Sequence, residues 1–188
     1  MIVSGTSVGD LTSEDYLTIM YNSNGAEQWT ARYNYDLVDD IEIAKSMTVD
    51  GFGNVYVTGF SYGLSKNEDY AVVKYNSSGS EQWVARYNGP SDSYDISTDI
   101  ITDISGNVYV TGYSYDNVSL EDYATIKYNS SGEQQWVSKY NGASGKFDIA
   151  NSITTDNAGN VFVTGYSFDV NSSEDYATIK YNSCLLYT

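Results

Sequence analysis

The strongest constraint on this chain is that it repeats itself at a fixed interval. Gly-Asn-Val-Tyr-Val-Thr-Gly occupies residues 53–59 and returns at 106–112. It returns again at 159–165, with Phe162 in place of the middle Tyr, so both spacings are 53. Glu-Asp-Tyr begins at Glu14, Glu68, Glu121 and Glu174, and Gln-Trp at Gln28, Gln82 and Gln135, on intervals of 53 or 54. The one extra residue falls between Asn34 and Glu42, where a loop is expected. Three markers in one order at one period dictate a repeat architecture, in which each unit buries its faces against its neighbours.

Each period carries four short strand signals separated by turn signals. In one repeat these are residues 95–102, 107–114, 123–129 and 134–141, rich in Tyr, Val, Ile, Thr and Trp. Such residues suit a pleated surface. Bulk stands on both faces, with Val108 and Val110 on one and Tyr109 and Thr111 on the other. A strand reads this way when sheets pack on both sides of it. No stretch offers helical periodicity with caps. Asn-Ser-Ser-Gly (76–79, 129–132), Asn-Ser-Asn-Gly (22–25) and Asp-x-x-Gly-Asn (50–54, 103–107, 156–160) are hairpin turns. Each places an Asn or Asp before a Gly able to take positive φ. Four antiparallel strands in each repeat of about fifty residues is the form of a β-propeller blade.

The unit DYATIKYNSSGEQQWVSKYNGASGKFDIANSITTDNAGNVFVTGYS resembles the bacterial SBBP β-propeller repeat, and the resemblance extends over residues 1–183. It implies a propeller within a larger secreted or cell-surface protein, in a family without a common activity. The expected fold is all-β, an incomplete propeller of four-stranded antiparallel blades forming an open arc of about three and a half blades. Residues 1–41 would be a partial blade lacking its innermost strand. Residues 42–94 and 95–147 would be complete blades, and 148–183 a partial blade lacking its outermost strand. Open blade ends invite self-association. The start aligns mid-strand, residues 1–5 matching 55–59. The last five residues, Cys-Leu-Leu-Tyr-Thr at 184–188, depart from the repeat and read as a non-native tail.

Composition narrows function. The chain has no His, which removes the commonest general base and metal ligand. Its only Cys, Cys184, rules out a disulfide framework or a Cys-based zinc site. A net charge of −16 opposes nucleic acid and anionic membranes as partners. No apolar run approaches a membrane span. No catalytic residue, cofactor or metal is therefore expected, and the chain is not expected to be an enzyme.

Motifs that could carry chemistry occur once per repeat, which favours architecture over catalysis. Trp29, Trp83 and Trp136 resemble the tryptophan-docking strands of quinone-binding propellers, but one per repeat suits packing, with the indole N–H satisfied locally. Asp50, Asp103 and Asp156 offer one carboxylate per loop, too few for calcium, and suit turn acceptors. The adjacent acids of Glu-Asp-Tyr point to opposite faces of a strand, unlike a glycosidase pair. They stand ready to pair with Lys74, Lys127, Lys180, Arg32, Arg86 or Lys139. The Asn-x-Ser sequons at Asn76, Asn117, Asn129 and Asn171 read as turn chemistry. Two single-copy ionisable residues, Lys45 and Asp99, fall on innermost strands and are the nearest thing to an enzymatic channel.

The segments that differ between repeats are 7–13, 61–67, 114–120 and 167–173, and the inter-blade stretches 35–41, 89–94 and 142–147. In a propeller both sets open on one face. They supply a candidate binding rim of Tyr62, Tyr115, Phe168, Asp116, Asp169, Tyr94 and Phe147, where variable loops on a rigid scaffold would recognise a protein or carbohydrate. The leading expectation is a non-catalytic extracellular or cell-surface scaffold. The alternatives are a section of a propeller hydrolase or quinoprotein, and a calcium-stabilised adhesion module.

Overall fold

The computed structural model describes residues 1–9, 13–35, 40–63, 67–118, 120–169 and 173–182. The tail at 184–188, with Cys184, and the sequon at Asn171 lie outside the described residues. So do parts of the variable loops. All regular structure among the described residues is β. The first sheet holds β1 (Ile2–Val8), β2 (Glu14–Tyr21) and β3 (Glu27–Tyr33). The second holds β4 (Glu42–Val49), β5 (Val55–Tyr62), β6 (Glu68–Tyr75) and β7 (Glu81–Tyr87). The third holds β8 (Asp95–Thr102), β9 (Val108–Asp116), β10 (Leu120–Tyr128) and β11 (Gln134–Tyr140). The fourth holds β12 (Asp148–Thr155), β13 (Val161–Phe168) and β14 (Glu174–Tyr181). Every strand pairs antiparallel with its sequence neighbour. The fold is thus the expected all-β incomplete propeller, and its sheets follow one another in an arc.

The turns explain the hairpins. Asn76 Oδ1 accepts from the N–H groups of Ser78 and Ser80 at 3.0 Å each, and Gly79 closes the turn at φ 83°. Asp50 does the same for Phe52 and Asn54 at 2.9 Å, with Gly53 at φ 80°. The left-handed residue matches the right-handed twist of the strands it joins. A second device recurs on the innermost strands. The register shifts between Ala44 and Ser46, between Ser97 and Asp99, and between Ala150 and Ser152. These bulges leave Lys45, Thr98 and Asn151 unpaired and increase the local twist.

Each sheet has two unlike faces. The second sheet turns Val55, Val57, Ala71, Val73 and Tyr75 towards the first, in one core with Tyr16, Tyr33 and Trp29. Its other face turns Tyr56, Tyr70 and Trp83 towards Val108, Val110, Ala124 and Ile126 of the third. The third repeats the pattern with Tyr109, Tyr123 and Trp136 against Ala150, Val161 and Val163. At each of the three junctions an aromatic face therefore meets a mainly aliphatic one that carries a single Tyr, Tyr75, Tyr128 or Tyr181, beside the facing Trp.

One contact registers these faces. The Tyr of Glu-Asp-Tyr crosses to the next sheet and donates its hydroxyl to a backbone carbonyl. Tyr16 reaches Ala71 at 3.3 Å, Tyr70 reaches Ala124 at 3.1 Å, and Tyr123 reaches Ala177 at 3.4 Å. A glycine makes room for each hydroxyl. A Cβ on Gly59, Gly112 or Gly165 would lie 2.9, 2.7 or 2.7 Å from the incoming Tyr oxygen. A Cβ on Gly112 would also lie 2.1 Å from the Ile96 carbonyl oxygen. Gly112→Ala is therefore expected to cost about 2–4 kcal/mol in urea denaturation. Gly51→Ala, whose Cβ would meet nothing within 4 Å, should stay within about 0.5 kcal/mol. Equal effects of the two would contradict this account of the junctions.

Candidate functional site

The rim lies at the end of the blades where the second strand of each repeat meets the third. Three of its aromatic residues are strand residues, while Tyr94 and Phe147 stand just before β8 and β12: β9 runs on to Asp116, with Tyr115 opposite Glu121 and Asp116 opposite Leu120. Tyr62 likewise stands opposite Glu68 and Phe168 opposite Glu174. Cross-strand pairing thus shortens the expected loops and fixes Tyr62, Tyr115 and Phe168 on rigid elements.

The structure brings the rim residues together two by two. Tyr94 lies against Tyr115 at 5.1 Å between ring centroids, and Phe147 against Phe168 at 6.0 Å in an edge-on arrangement. Tyr166 adds a third ring at 6.2 Å from Phe168. Backbone bonds lock each pair, from Tyr115 N–H to Tyr94 O and from Phe168 N–H to Phe147 O, both 3.1 Å. The matching bond in the second sheet runs from Tyr62 to Ile41 at 3.2 Å. Tyr94 donates its hydroxyl to Glu121, and burial with that hydrogen bond raises its pKa. Asp116 caps its own turn through Val118 N–H at 2.8 Å, and Asp169 accepts from Ser173 N–H at 3.3 Å. Phe147 remains 40% exposed.

Beneath the rim lies a buried polar layer that the sequence reading did not single out. Glu42, Asp95 and Asp148 open the innermost strands and are fully or almost fully buried. The signal was available, as an acid recurring in register just before an apolar strand. Glu42 accepts from Ser61 Oγ at 3.1 Å, while Ser61 accepts from Arg86 Nη1 at 2.6 Å. Arg86 also donates to the Ser61 carbonyl and to Asp69 Oδ2, and its guanidinium lies 4.0 Å from the centre of the Tyr35 ring. Asp95 and Asp148 instead accept from Gly89 and Gly142 N–H at 2.6 and 2.7 Å, holding the inter-blade connections. Burial pushes the Glu42 carboxyl up to about 7 and Asp95 up to about 6.

The other candidates prove structural. Trp29 and Trp83 donate their indole N–H groups to Ser77 and Ser130 carbonyls at 3.1 Å. The partner is not local, as expected from sequence, but the turn of the following sheet. A Cβ on Gly79 would lie 2.6 Å from the Trp29 ring, so Gly serves there for close approach as well as for φ. Both Asp50 oxygens are occupied, Oδ2 by Asn54 Nδ2 at 2.7 Å and Tyr56 Oη at 3.0 Å. Its partial burial raises the pKa, but hydrogen bonds from Asn54, Phe52 and Tyr56 outweigh this and hold it below the ordinary range.

Of the bases expected to pair with Glu-Asp-Tyr, Arg32 binds Asp15 and Arg86 binds Asp69, both at 2.9 Å. Lys74, Lys127 and Lys180 instead lie over the rings of Tyr56, Tyr109 and Phe162 at 5.2, 5.2 and 5.4 Å. They stand opposite those aromatic residues on the neighbouring strand, far along it from the acids. Asp99 is a strut: it accepts from Ser46 Oγ at 2.8 Å and from Ser152 Oγ and Ile153 N–H at 2.9 and 3.0 Å. It thereby joins β4, β8 and β12. Lys45 lies 5.8 Å from the centre of the Phe60 ring.

The buried layer makes stability pH-dependent. Between about 4.5 and about 7, folded Glu42 holds a proton that the unfolded chain releases. Its contribution to stability therefore falls as pH rises through that window, and Asp95 acts in the same direction up to about 6. Glu42→Gln should flatten this slope and stabilise the chain by about 1–2 kcal/mol at pH 8. Chemical denaturation from pH 4.5 to 8 reads the effect, and an unchanged slope would contradict it.

The SBBP family, described as a beta-propeller repeat, matches residues 28–64, 82–118 and 135–167. No curated protein matches the chain. Among solved structures, an exo-1,5-alpha-L-arabinanase from a bovine ruminal metagenomic library is similar at 10% sequence identity, with a TM-score of 0.47. The similarity covers 89% of this chain and 65% of the arabinanase chain. Each of the three family matches starts at the Gln of Gln-Trp and runs through the innermost strand to the rim. Together they span more than half of the sequence, and the chain belongs to the SBBP beta-propeller repeat family.

Proposed function

We propose that the chain is a non-catalytic scaffold of a secreted or cell-surface protein, and that it binds a protein or glycan through the rim. The observation that carries this reading is the rim's variation on a constant frame. Ile41 with Tyr62, Tyr94 with Tyr115, and Phe147 with Phe168 occupy equivalent places in successive sheets, yet differ in chemistry. The turns at the opposite end of the blades barely change between repeats. Residues freed from the repeat pattern and held on rigid strands or at their ends can specialise for recognition. Flat rings beside Glu121, Asp116 and Asp169 offer stacking surfaces next to hydrogen-bond acceptors. The non-catalytic part rests on occupancy: the acids of the turns and of the Asp99 strut are engaged by structural donors.

Affinity electrophoresis in gels cast with soluble polysaccharides, and pull-downs on bacterial surface proteins, would test the reading. Tyr115→Ala and Phe147→Ala should weaken the interaction at least about tenfold. Phe52→Ala and Ile104→Ala, exposed at the opposite turns, should leave it unchanged. Retained binding in both rim variants, loss in the turn variants, or no binder at all would overturn the proposal. Release of reducing sugar from a bound polysaccharide would overturn its non-catalytic part.

A further inference from the structure

One acid of the rim departs from the repeat. Glu68 in the second sheet is half-buried, whereas Glu121, in the same place in the third, is only 8% exposed. Tyr94 covers it, standing where the second sheet has Ile41 and laying its ring against Tyr115. The Tyr94 hydroxyl donates to Glu121 Oε1, while Oε2 is buried and has no hydrogen-bond partner. The ion pairs among the described residues, Arg32 with Asp15 and Arg86 with Asp69, do not involve Glu121.

Aromatic rings gather around this carboxylate. Tyr115 is its cross-strand partner, and Tyr113, two residues back, projects from the same face of β9. Burial raises the Tyr113 pKa and the Glu121 charge raises it further; the same charge reaches Tyr166 of the fourth sheet. Leu120, just before Glu121, takes φ 65°, a conformation that non-glycine residues rarely adopt. An acid among aromatic rings is suited to an organic ammonium, which the rings attract and the carboxylate pairs.

We propose that Glu121 and its tyrosines hold the side chain of a lysine presented by a protein partner, an inference that rests on the rim being a recognition surface. Burial of Oε2 chooses this occupant. The cation has to arrive at the end of a slender chain, as an ammonium on a four-carbon stem does, whereas an amine fixed on a sugar ring or a guanidinium fork is broader. The Tyr94 ring admits it by turning about its own side-chain bonds, while the bond from Tyr115 N–H to Tyr94 O holds the backbone. The segments that vary between repeats carry seven acids and two lysines, a field that draws in a basic partner. Beneath the rings the ammonium meets the carboxylate at low dielectric, where pairing is strong.

Titration of the full chain with an acetylated, amidated Gly-Gly-Lys-Gly-Gly peptide, read by amide chemical shifts in NMR, tests this. The shifts should centre on Tyr94, Tyr115 and Glu121 and weaken several-fold when salt rises from about 0.05 to about 0.5 M. A peptide with norleucine for lysine, of equal stem and no charge, should give none. Glu121→Gln, which keeps an acceptor for Tyr94, should weaken binding at least about tenfold. Tyr94→Ile, which installs the residue of the second sheet, should also weaken it and carries the test should Glu121→Gln fail to fold. Glu81→Gln, exposed on an outermost strand, should leave binding unchanged. No shift at Glu121 at about 50 mM lysine peptide, equal shifts with norleucine, or undiminished binding by the folded variants would overturn the proposal. So would shifts at Glu121 from glucosamine with the lysine peptide silent, which would make the occupant an amino sugar. A partner that needs Tyr115 and Phe147 but binds the Glu121→Gln chain equally well would refute the lysine site and leave recognition by the rim standing.

Discussion

The structure depends on a tyrosine that leaves its own sheet and donates its hydroxyl to a backbone carbonyl of the next. Burying such a ring contributes roughly 2–3 kcal/mol, and its hydroxyl adds about 1 kcal/mol when paired. Its larger role is to set register. A knob that fits only over a glycine fixes how one sheet slides on the next. The Trp on the outermost strand does the same at the periphery through Ser77 and Ser130. Asp99 does it near the axis, through Ser46 and Ser152. Three ties at three radii hold neighbouring sheets at one angle, and so allow the rim residues to stand in fixed relation.

What the sequence made legible was local or periodic. Asp50 and Asn76 announce their turns because their partners lie two to four residues away. The alternation of Val108, Tyr109 and Val110 announces a strand packed on both faces, as found. Partners about fifty residues distant were hidden. The Trp83 indole finds an acceptor 47 residues on, and nothing near Trp83 in the sequence points to Ser130. The lysines were misread for a related reason. Lys74 and Glu68 look like strand-mates of opposite sign, but the antiparallel register sets Lys74 opposite Tyr56, where its ammonium meets a ring.

The candidate site was half legible. Variation between repeats located the rim at Tyr62, Tyr94, Tyr115, Phe147 and Phe168, but only the structure paired the rings. It also exposed the polar layer beneath them. Glu42 and Ser61 belong to adjoining strands of one sheet, and Arg86 reaches them from two strands further out. That convergence of acid, hydroxyl and guanidinium follows from strand order and from no local motif. The layer ties the innermost strand to the outer ones beneath the rim, with the Arg86 guanidinium held by Ser61 and Asp69.

The central claim is that sheet-to-sheet packing, more than strand pairing within sheets, stabilises this chain. β13 tests it cleanly, because it pairs on both edges, with β12 and β14, as β5 pairs with β4 and β6, yet Thr164 on one of its faces is exposed where Thr58 of β5 is buried. Hydrogen–deuterium exchange on the dilute chain reads the difference. The account predicts strong protection in β5 and β9, and exchange in β13 faster by orders of magnitude. Protection of β13 equal to that of β5 and β9 would contradict it.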